Sequence, residues 1–291
     1  MKRTFSGEAF AKLNLYLGVS GLREDGYHEL ETVFQSVDLC DLVSLTLHKQ
    51  GGISLRCNLP YLPCDGRNLA VRAAELFFRT AGIENPGVNI NIKKRIPVGA
   101  GMAGGSTDAA CVLRLLNRAY GKPLSDRALS EAALTLGADV PFCLRGGTAL
   151  ATGVGEKLRQ LRPMPDCRIV AVKPSFSVST KAAFALFDEK AREKAPGAAQ
   201  MLSALENGST EAIARALYNS LEAPVAEQEP LIARLRDVLA ENGALGARMT
   251  GSGSAVFGIF ADTETAQAAA QKAEALCRNV YLTAPRPRLE D

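Results

Sequence analysis

The chain of 291 residues contains no tryptophan, only two histidines and little net charge, with 34 Lys and Arg against 31 Asp and Glu. A balance of +3 lacks the steep or clustered basic excess of a dedicated nucleic-acid binder. Long apolar runs are missing too. The longest stretch without a charged side chain, residues 249–261, is 13 residues long and holds Gly251, Gly253 and Gly258, whereas a helical membrane span needs about 20 apolar residues. After Lys2 and Arg3, the residues Gly7, Glu8 and Lys12 interrupt any apolar signal core, so no secretory signal is read. The seven cysteines are odd in number and none forms a CxxC pair. This indicates neither a disulfide framework nor a zinc site, and suits a reducing cytoplasm.

Apolar residues make up 47% of the chain and charged residues 22%, which is enough for sizeable cores and too apolar for disorder. Length alone favours about two domains. Residues 11–17 alternate, with Leu13, Leu15 and Leu17 on one face and Lys12, Asn14 and Tyr16 on the other, predicting a half-buried strand. Strands are also predicted at 42–47 and 88–92, and a turn at Asp25-Gly26. Helices are predicted over 68–80, from Thr107 or Asp108 to the stop at Gly121 and Pro123, and over 125–136. Arg162-Pro163-Met164-Pro165 is the linker candidate. Beyond it come a strand at 169–172, helices near 181–187, 211–217 and 231–241, short strands flanking Gly251 and Gly253, a helix at 263–278 and a strand at 280–283. The mixture indicates an α+β fold with antiparallel sheets that keep one face open.

Residues 97–108, Pro-Val-Gly-Ala-Gly-Met-Ala-Gly-Gly-Ser-Thr-Asp, lie between a predicted strand and a helix N-terminus. Free N–H groups and the helix dipole favour an anion there, and glycines let main chain wrap a phosphate. Gly99, Gly101 and Gly104 match the dinucleotide spacing, but the next element is a second helix rather than a parallel strand ending in an acidic residue. A P-loop is excluded because Gly105-Ser106 stand where its lysine is required. A flexible turn is the plain alternative, as is a hairpin turn for the second glycine segment at 249–258.

Lys12-Leu-Asn-Leu-Tyr-Leu, the 97–110 loop and the 249–258 segment together resemble motifs one, two and three of the GHMP kinases. Residues 11–15 with 23–30 (Arg-Glu-Asp-Gly-Tyr-His-Glu-Leu) and 135–142 (Thr-Leu-Gly-Ala-Asp-Val-Pro-Phe) narrow the likeness. They resemble the branch that phosphorylates the 2-hydroxyl of a cytidine-diphosphate-linked methylerythritol, in the non-mevalonate route to isoprenoid precursors. Residues 65–70 and 146–156 extend the resemblance, which is weakest over 189–229. Met102 and Ser106-Thr107 replace a frequent Leu and Ser-Ser, conservatively. The resemblance implies a GHMP kinase fold of two domains. Residues 1–164 would be like the second domain of ribosomal protein S5, and residues 165–291 ferredoxin-like. It also implies a cytoplasmic enzyme, monomeric or weakly homodimeric, using ATP with Mg²⁺ held mainly by the phosphates. Its substrate would be a small cytidine diphosphate, with neither nucleic acid nor membrane as partner.

The same resemblance makes Asp139 the base that receives the hydroxyl proton, with Lys12 beside it to hold charge. From the residues alone, Asp139 reads as a helix cap before Val140-Pro141 and Lys12 as an exposed strand lysine. Pro97, Gly99, Gly101, Gly104, Gly105, Ser106 and Thr107 fall to the nucleotide by resemblance. Asn68 and Lys94 fall near its adenine and ribose, or else are a helix cap and a solvated strand end. On the substrate side the resemblance places Asn14, Tyr27, His28, Phe184, Gly251 and Gly253. Tyr27 and Phe184 would stack on the cytosine and His28 would meet its edge, with a core role for Phe184 as the alternative. His48, beside Lys49-Gln50, reads as a surface residue. A homoserine- or mevalonate-type kinase and a catalytically silent binding protein stay open. Tyr27-His28 argues against the first; Lys12, Asp139 and the loop argue against the second.

Overall fold

The computed structural model describes residues 3–24, 26–84, 87–189 and 195–289. Asp25 of the expected turn, and residues 190–194 of the weakly matching stretch, lie outside the described residues. The chain begins with β1 (Arg3–Leu22), β2 (His28–Leu47), β3 (Gly52–Cys57), α1 (Leu69–Thr80), β4 (Gly87–Lys93) and α2 (Gly104–Ala119). It continues with α3 (Asp126–Leu134), α4 (Val140–Arg145), β5 (Thr148–Gly153), β6 (Lys157–Gln160), β7 (Arg168–Lys173) and α5 (Thr180–Asp188). Then follow α6 (Ala199–Asn207), α7 (Thr210–Arg215), β8 (Tyr218–Asn219), α8 (Glu222–Gln228) and α9 (Leu231–Glu241). The last elements are β9 (Gly246–Met249), β10 (Val256–Phe260), α10 (Thr263–Glu274) and β11 (Asn279–Thr283). By compactness the chain forms two units: residues 1–11, 40–96 and 103–145, and residues 12–39, 97–102 and 146–291. These units interleave along the sequence, unlike the single cut expected after Met164.

In the first unit β4 runs antiparallel to β2 and parallel to β3, so that Leu45 and Leu55 both face Ile90 in register. The parallel pair departs from the all-antiparallel expectation because α1 provides the crossover that parallel neighbours need. Val88, Ile90 and Ile92 are buried and Asn89 and Asn91 exposed, the alternation of a sheet with one open face. Helices α1 and α2 pack together, and α1 buries Ala70, Ala73, Ala74 and Phe77 along one face. Both Phe77 and Phe78 touch the Tyr120 ring. His48 is half-buried, with Nε2 3.1 Å from Asn89 Oδ1.

The second unit contains an antiparallel sheet in the order β11-β7-β10-β9. Taken with α9 before β9 and α10 between β10 and β11, this is the split βαβ arrangement of a ferredoxin-like fold. Strands β7 and β10 are buried along almost their whole length, as their unbroken apolar runs require, so neither keeps the open face that was expected. Their Val170, Val172, Val256 and Phe260 form one core with Ile232, Leu235 and Leu239 of α9 and Ala266, Ala269 and Ala273 of α10. Strand β2 pairs with β5, β5 with β6, and β1 runs parallel to β8.

Two further expectations need correction. The polar face of β1 is not open: Lys12, Asn14 and Tyr16 are 4%, 3% and 2% exposed. Tyr16 stacks on Tyr218 of β8, and the two polar residues are hydrogen-bonded inside. Helix α2 starts at Gly104 rather than Thr107, because Ala103 takes the left-handed N-cap conformation at φ +58° and two glycines enter the first turn. Glycine's poor helix propensity hides such a start. Elements β3, α4, α6, β8 and α8 were not legible as separate elements. No helix of the described residues is long and apolar enough to cross a membrane.

Candidate active site

In the second unit the lysine- and glycine-bearing segments come together. The Lys12 N–H donates to the Met102 carbonyl at 3.2 Å, and the Ala255 N–H to the Ala100 carbonyl at 3.2 Å. The Asn14 N–H donates to Thr250 Oγ1 at 3.0 Å, across 236 positions of sequence. Gly101, at φ +73°, lies so close that a Cβ there would be 2.2 Å from the Thr250 carbonyl oxygen and 3.1 Å from that of Gly253. At Gly251, φ +56°, a Cβ would be 2.9 Å from the Gly101 oxygen. Both glycines therefore serve backbone-to-backbone packing of the two loops. Pro97 opens the first loop, and Gly99 packs beside Ser177.

The Lys12 ammonium is buried under this junction. Its Nζ donates to Asn14 Oδ1 at 2.7 Å and stands 5.0 Å from the Phe34 ring centre. Asn14 Nδ2 donates to Thr32 Oγ1 at 2.8 Å, and that hydroxyl donates to the Tyr16 carbonyl at 2.6 Å. Both ends of the Asn14 amide are thus engaged in holding the lysine. A buried ammonium needs such partners, and the reading of Lys12 as an exposed strand lysine is overturned.

In the first unit, α2 carries no side-chain cap, whereas α1 and α3 are capped by Asn68 and Ser125. The first N–H groups of a helix have no acceptor inside it, which here means Gly104, Gly105 and Ser106. Gly105 is exposed and Ser106 half-buried. Thr107 is buried, and its Oγ1 turns back to the Gly104 carbonyl at 3.0 Å. Asn68 is the helix cap of α1: Oδ1 accepts the Ala70 N–H at 3.0 Å and Nδ2 donates to the Pro63 carbonyl at 2.8 Å.

Lys94 is not a solvated strand end. Its side chain is 5% exposed and donates to Asp41, to Asp108 Oδ2 at 2.7 Å and to the Gly104 carbonyl at 3.2 Å. Asp41 Oδ1 also accepts the N–H groups of Arg95 and Ile96, at 2.5 and 2.8 Å. Asp108 Oδ1 is buried without a hydrogen bond. Burial pulls the Lys94 ammonium down, but the two carboxylates outweigh it and hold it above its ordinary range. Burial, with Asp41 adding to it against the pull of Lys94, pushes the Asp108 carboxyl up to about 7. A Cβ at Gly104 would sit 3.2 Å from Lys94 Nζ, so a larger residue there would press on the ammonium. Asp139 occupies the N-cap position of α4, where its carbonyl accepts the Cys143 N–H at 3.1 Å.

The third group is aromatic and lies in the second unit. His28 stacks on Phe184 with ring centres 4.7 Å apart, and Phe187 meets it edge-on at 6.1 Å. His28 Nε2 is 2.8 Å from Asp188 Oδ1. Tyr27 is 64% exposed. Phe184 therefore faces His28 in this structure.

Residues 68–147 match the profile of the GHMP kinases N terminal domain, and residues 201–279 that of the GHMP kinases C terminal. The 4-diphosphocytidyl-2-C-methyl-D-erythritol kinase of Caldicellulosiruptor bescii is 44% identical over 276 residues, covering 95% of this chain and 96% of that protein. A crystal structure of 4-(cytidine 5'-diphospho)-2C-methyl-D-erythritol kinase matches with TM-score 0.82 and 37% identity over 97% of this chain and 99% of that one. The chain belongs to this family of GHMP kinases. As a GHMP kinase it is an ATP-dependent phosphotransferase. With the L. major mevalonate kinase it shares the fold, at TM-score 0.75 and 16% identity over 98% of this chain and 97% of that one. Sequence reasoning about this GHMP kinase missed Thr32, Asp41, Asp108, Thr250 and Asp188. Asp108 and Thr250 lie within or beside the glycine segments, but only their spatial partners mark them out.

Proposed function

We infer that the chain transfers the γ-phosphoryl group of ATP to the 2-hydroxyl of 4-diphosphocytidyl-2-C-methyl-D-erythritol, giving the 2-phosphate and ADP, in the non-mevalonate route to isoprenoid precursors. Similarity to kinases of that name along nearly the whole chain carries this reading. The phosphates bind at the uncapped start of α2, where the N–H groups of Gly104, Gly105 and Ser106 and the helix dipole favour negative charge. Pro97, Gly99 and Gly101 lie on the same glycine loop of the sequence and fall to the nucleotide with it, and Thr107 secures the turn through the Gly104 carbonyl. Asn68 and Lys94 serve the nucleotide side by fixing the start of α1 and the start of α2.

Mg²⁺ comes with the nucleotide and neutralises its phosphates. Asp139 takes the proton of the 2-hydroxyl as its oxygen bonds to the γ-phosphorus and the bridge to ADP breaks. Lys12 stabilises the charge on the transferred group, and its burial strengthens that effect by excluding water. Asn14, with Gly251 beside it, keeps the lysine in place, and Gly253 falls to the substrate side with the same loop. Tyr27 offers the cytosine a face, His28 an edge, and Phe184 supports the histidine ring. Both reactants are water-soluble, which suits the cytoplasm.

An ADP-release assay with the cytidine substrate, mevalonate and homoserine tests the reading. Turnover is expected with the first alone. Equal or faster turnover of either other alcohol would reject it.

A further inference from the structure

We propose that Asp188 is a specificity-determining positioning residue, holding His28 as the Nε2–H tautomer so that Nδ1 stands as an acceptor for the 4-amino group of cytosine. This rests on the reading of His28 as the partner of the base edge. The tautomer follows from chemistry at one bond. An ionised carboxylate can only accept, so the 2.8 Å contact between Asp188 Oδ1 and His28 Nε2 makes Nε2 the donor. A neutral imidazole carries a single ring proton, and Nδ1 is then left as an acceptor.

The ring plane is fixed as well. Phe184 stacks on His28 at an interplanar angle of 26°, and Phe187 closes on it edge-on at 86°. Phe184 and Asp188 lie four residues apart on α5, which places them on one helix face. A single turn of α5 thus supplies both the stacking face and the carboxylate that set the imidazole. The His28 side chain is 10% exposed and that of Asp188 50%, so the carboxylate can be removed without opening a core.

The consequence is discrimination. Cytosine presents a 4-amino donor where uracil presents a 4-oxo acceptor. An acceptor at Nδ1 rewards the first and faces the second with two opposed lone pairs, an unmade hydrogen bond that disfavours binding. Were the proton on Nδ1, the preference would reverse.

Two measurements on the full-length protein test this. The chain has only His28 and His48, so ¹⁵N-histidine NMR with a His48→Gln variant for assignment reads the His28 tautomer directly. Wild type is expected to show Nε2–H alone, and Asp188→Ala a mixture. Kinetics with the cytidine substrate and its uridine analogue should show about a tenfold or greater loss of discrimination in Asp188→Ala, with the KM for ATP unchanged. Asp188→Asn, whose amide oxygen can still accept, should restore most of it. A proton on Nδ1 in wild type, or a doubly protonated ring at the assay pH, overturns the proposal. So does unchanged discrimination in Asp188→Ala alongside weakened substrate binding in His28→Ala. If His28→Ala itself leaves substrate binding intact, the base-edge reading fails first, and Asp188 with it.

Discussion

Two carboxylates share one ammonium in the first unit, and the imbalance couples the start of α2 to pH. Asp41 has two backbone N–H donors besides Lys94, whereas Asp108 has an oxygen with none. Asp108 therefore takes the weaker share and is the group whose carboxyl is pushed up to about 7, chiefly by burial. A folded-state value above the unfolded one means that the native protein binds the proton more tightly. This contribution favours the fold fully below the ordinary carboxyl range and is lost as pH rises through about 7. Asp108→Asn removes the excess charge, so its melting temperature should change less than wild type's between pH 5.5 and 8. An unchanged slope would assign the titration elsewhere. Asp139 calls for a kinetic test. Asp139→Asn keeps the size but not the basicity, and turnover should fall by about 10²–10⁴-fold with ATP affinity nearly unchanged. A loss below about tenfold would leave Asp139 a positioning role only.

At the scale of elements, the glycines of the 97–108 segment divide into different jobs that composition could not separate. Caps and apolar stripes made α1, α3 and α9 legible, because Asn68, Ser125 and the spacing of Ile232, Leu235 and Leu239 are local signals. The true start of α2 was hidden by Gly104 and Gly105, and the burial of both β1 faces by partners distant in sequence. Gly101 answers to a carbonyl oxygen that cannot move away. Gly105 lies open, and a methyl group there would meet nothing nearer than Leu69 Cδ1 at 3.5 Å. Gly101→Ala should cost about 2 kcal/mol or more of stability, from left-handed strain and the backbone clash. Gly105→Ala should hold or raise stability by up to about 1 kcal/mol through helix propensity, yet increase the KM for ATP by crowding the exposed turn. Denaturant melts and ATP titrations of the two variants separate these effects. An unaltered KM in Gly105→Ala would place the phosphates away from this turn.

For the whole molecule, chain order and compactness disagree, and the disagreement has an energetic consequence. Motif order was legible because each motif is a local string, but which segments share a core depends on contacts with no local signal. Leu17 and Val19 of β1 sit in one core with Val170, Leu221 and Phe260. The Asp38 and Leu39 N–H groups of β2 donate to the Ala284 carbonyl at 3.0 Å and Thr283 Oγ1 at 2.9 Å. The Ala100 carbonyl accepts from Ala255, and Gly101 rests against Thr250. A cut after Met164 removes every one of these partners from β1, β2 and the glycine loop at once. Each large apolar side chain so exposed forfeits about 1.5–3 kcal/mol, against a total stability of about 5–15 kcal/mol for an ordinary domain. Fragment 1–164, which keeps the core of the first unit but loses these partners, is therefore expected to melt well below the full chain and to bind a dye that reports exposed apolar surface. Co-expression with 165–291 should restore a single cooperative melt. A transition in isolated 1–164 at the temperature of the full chain would show that these long-range contacts are dispensable to it.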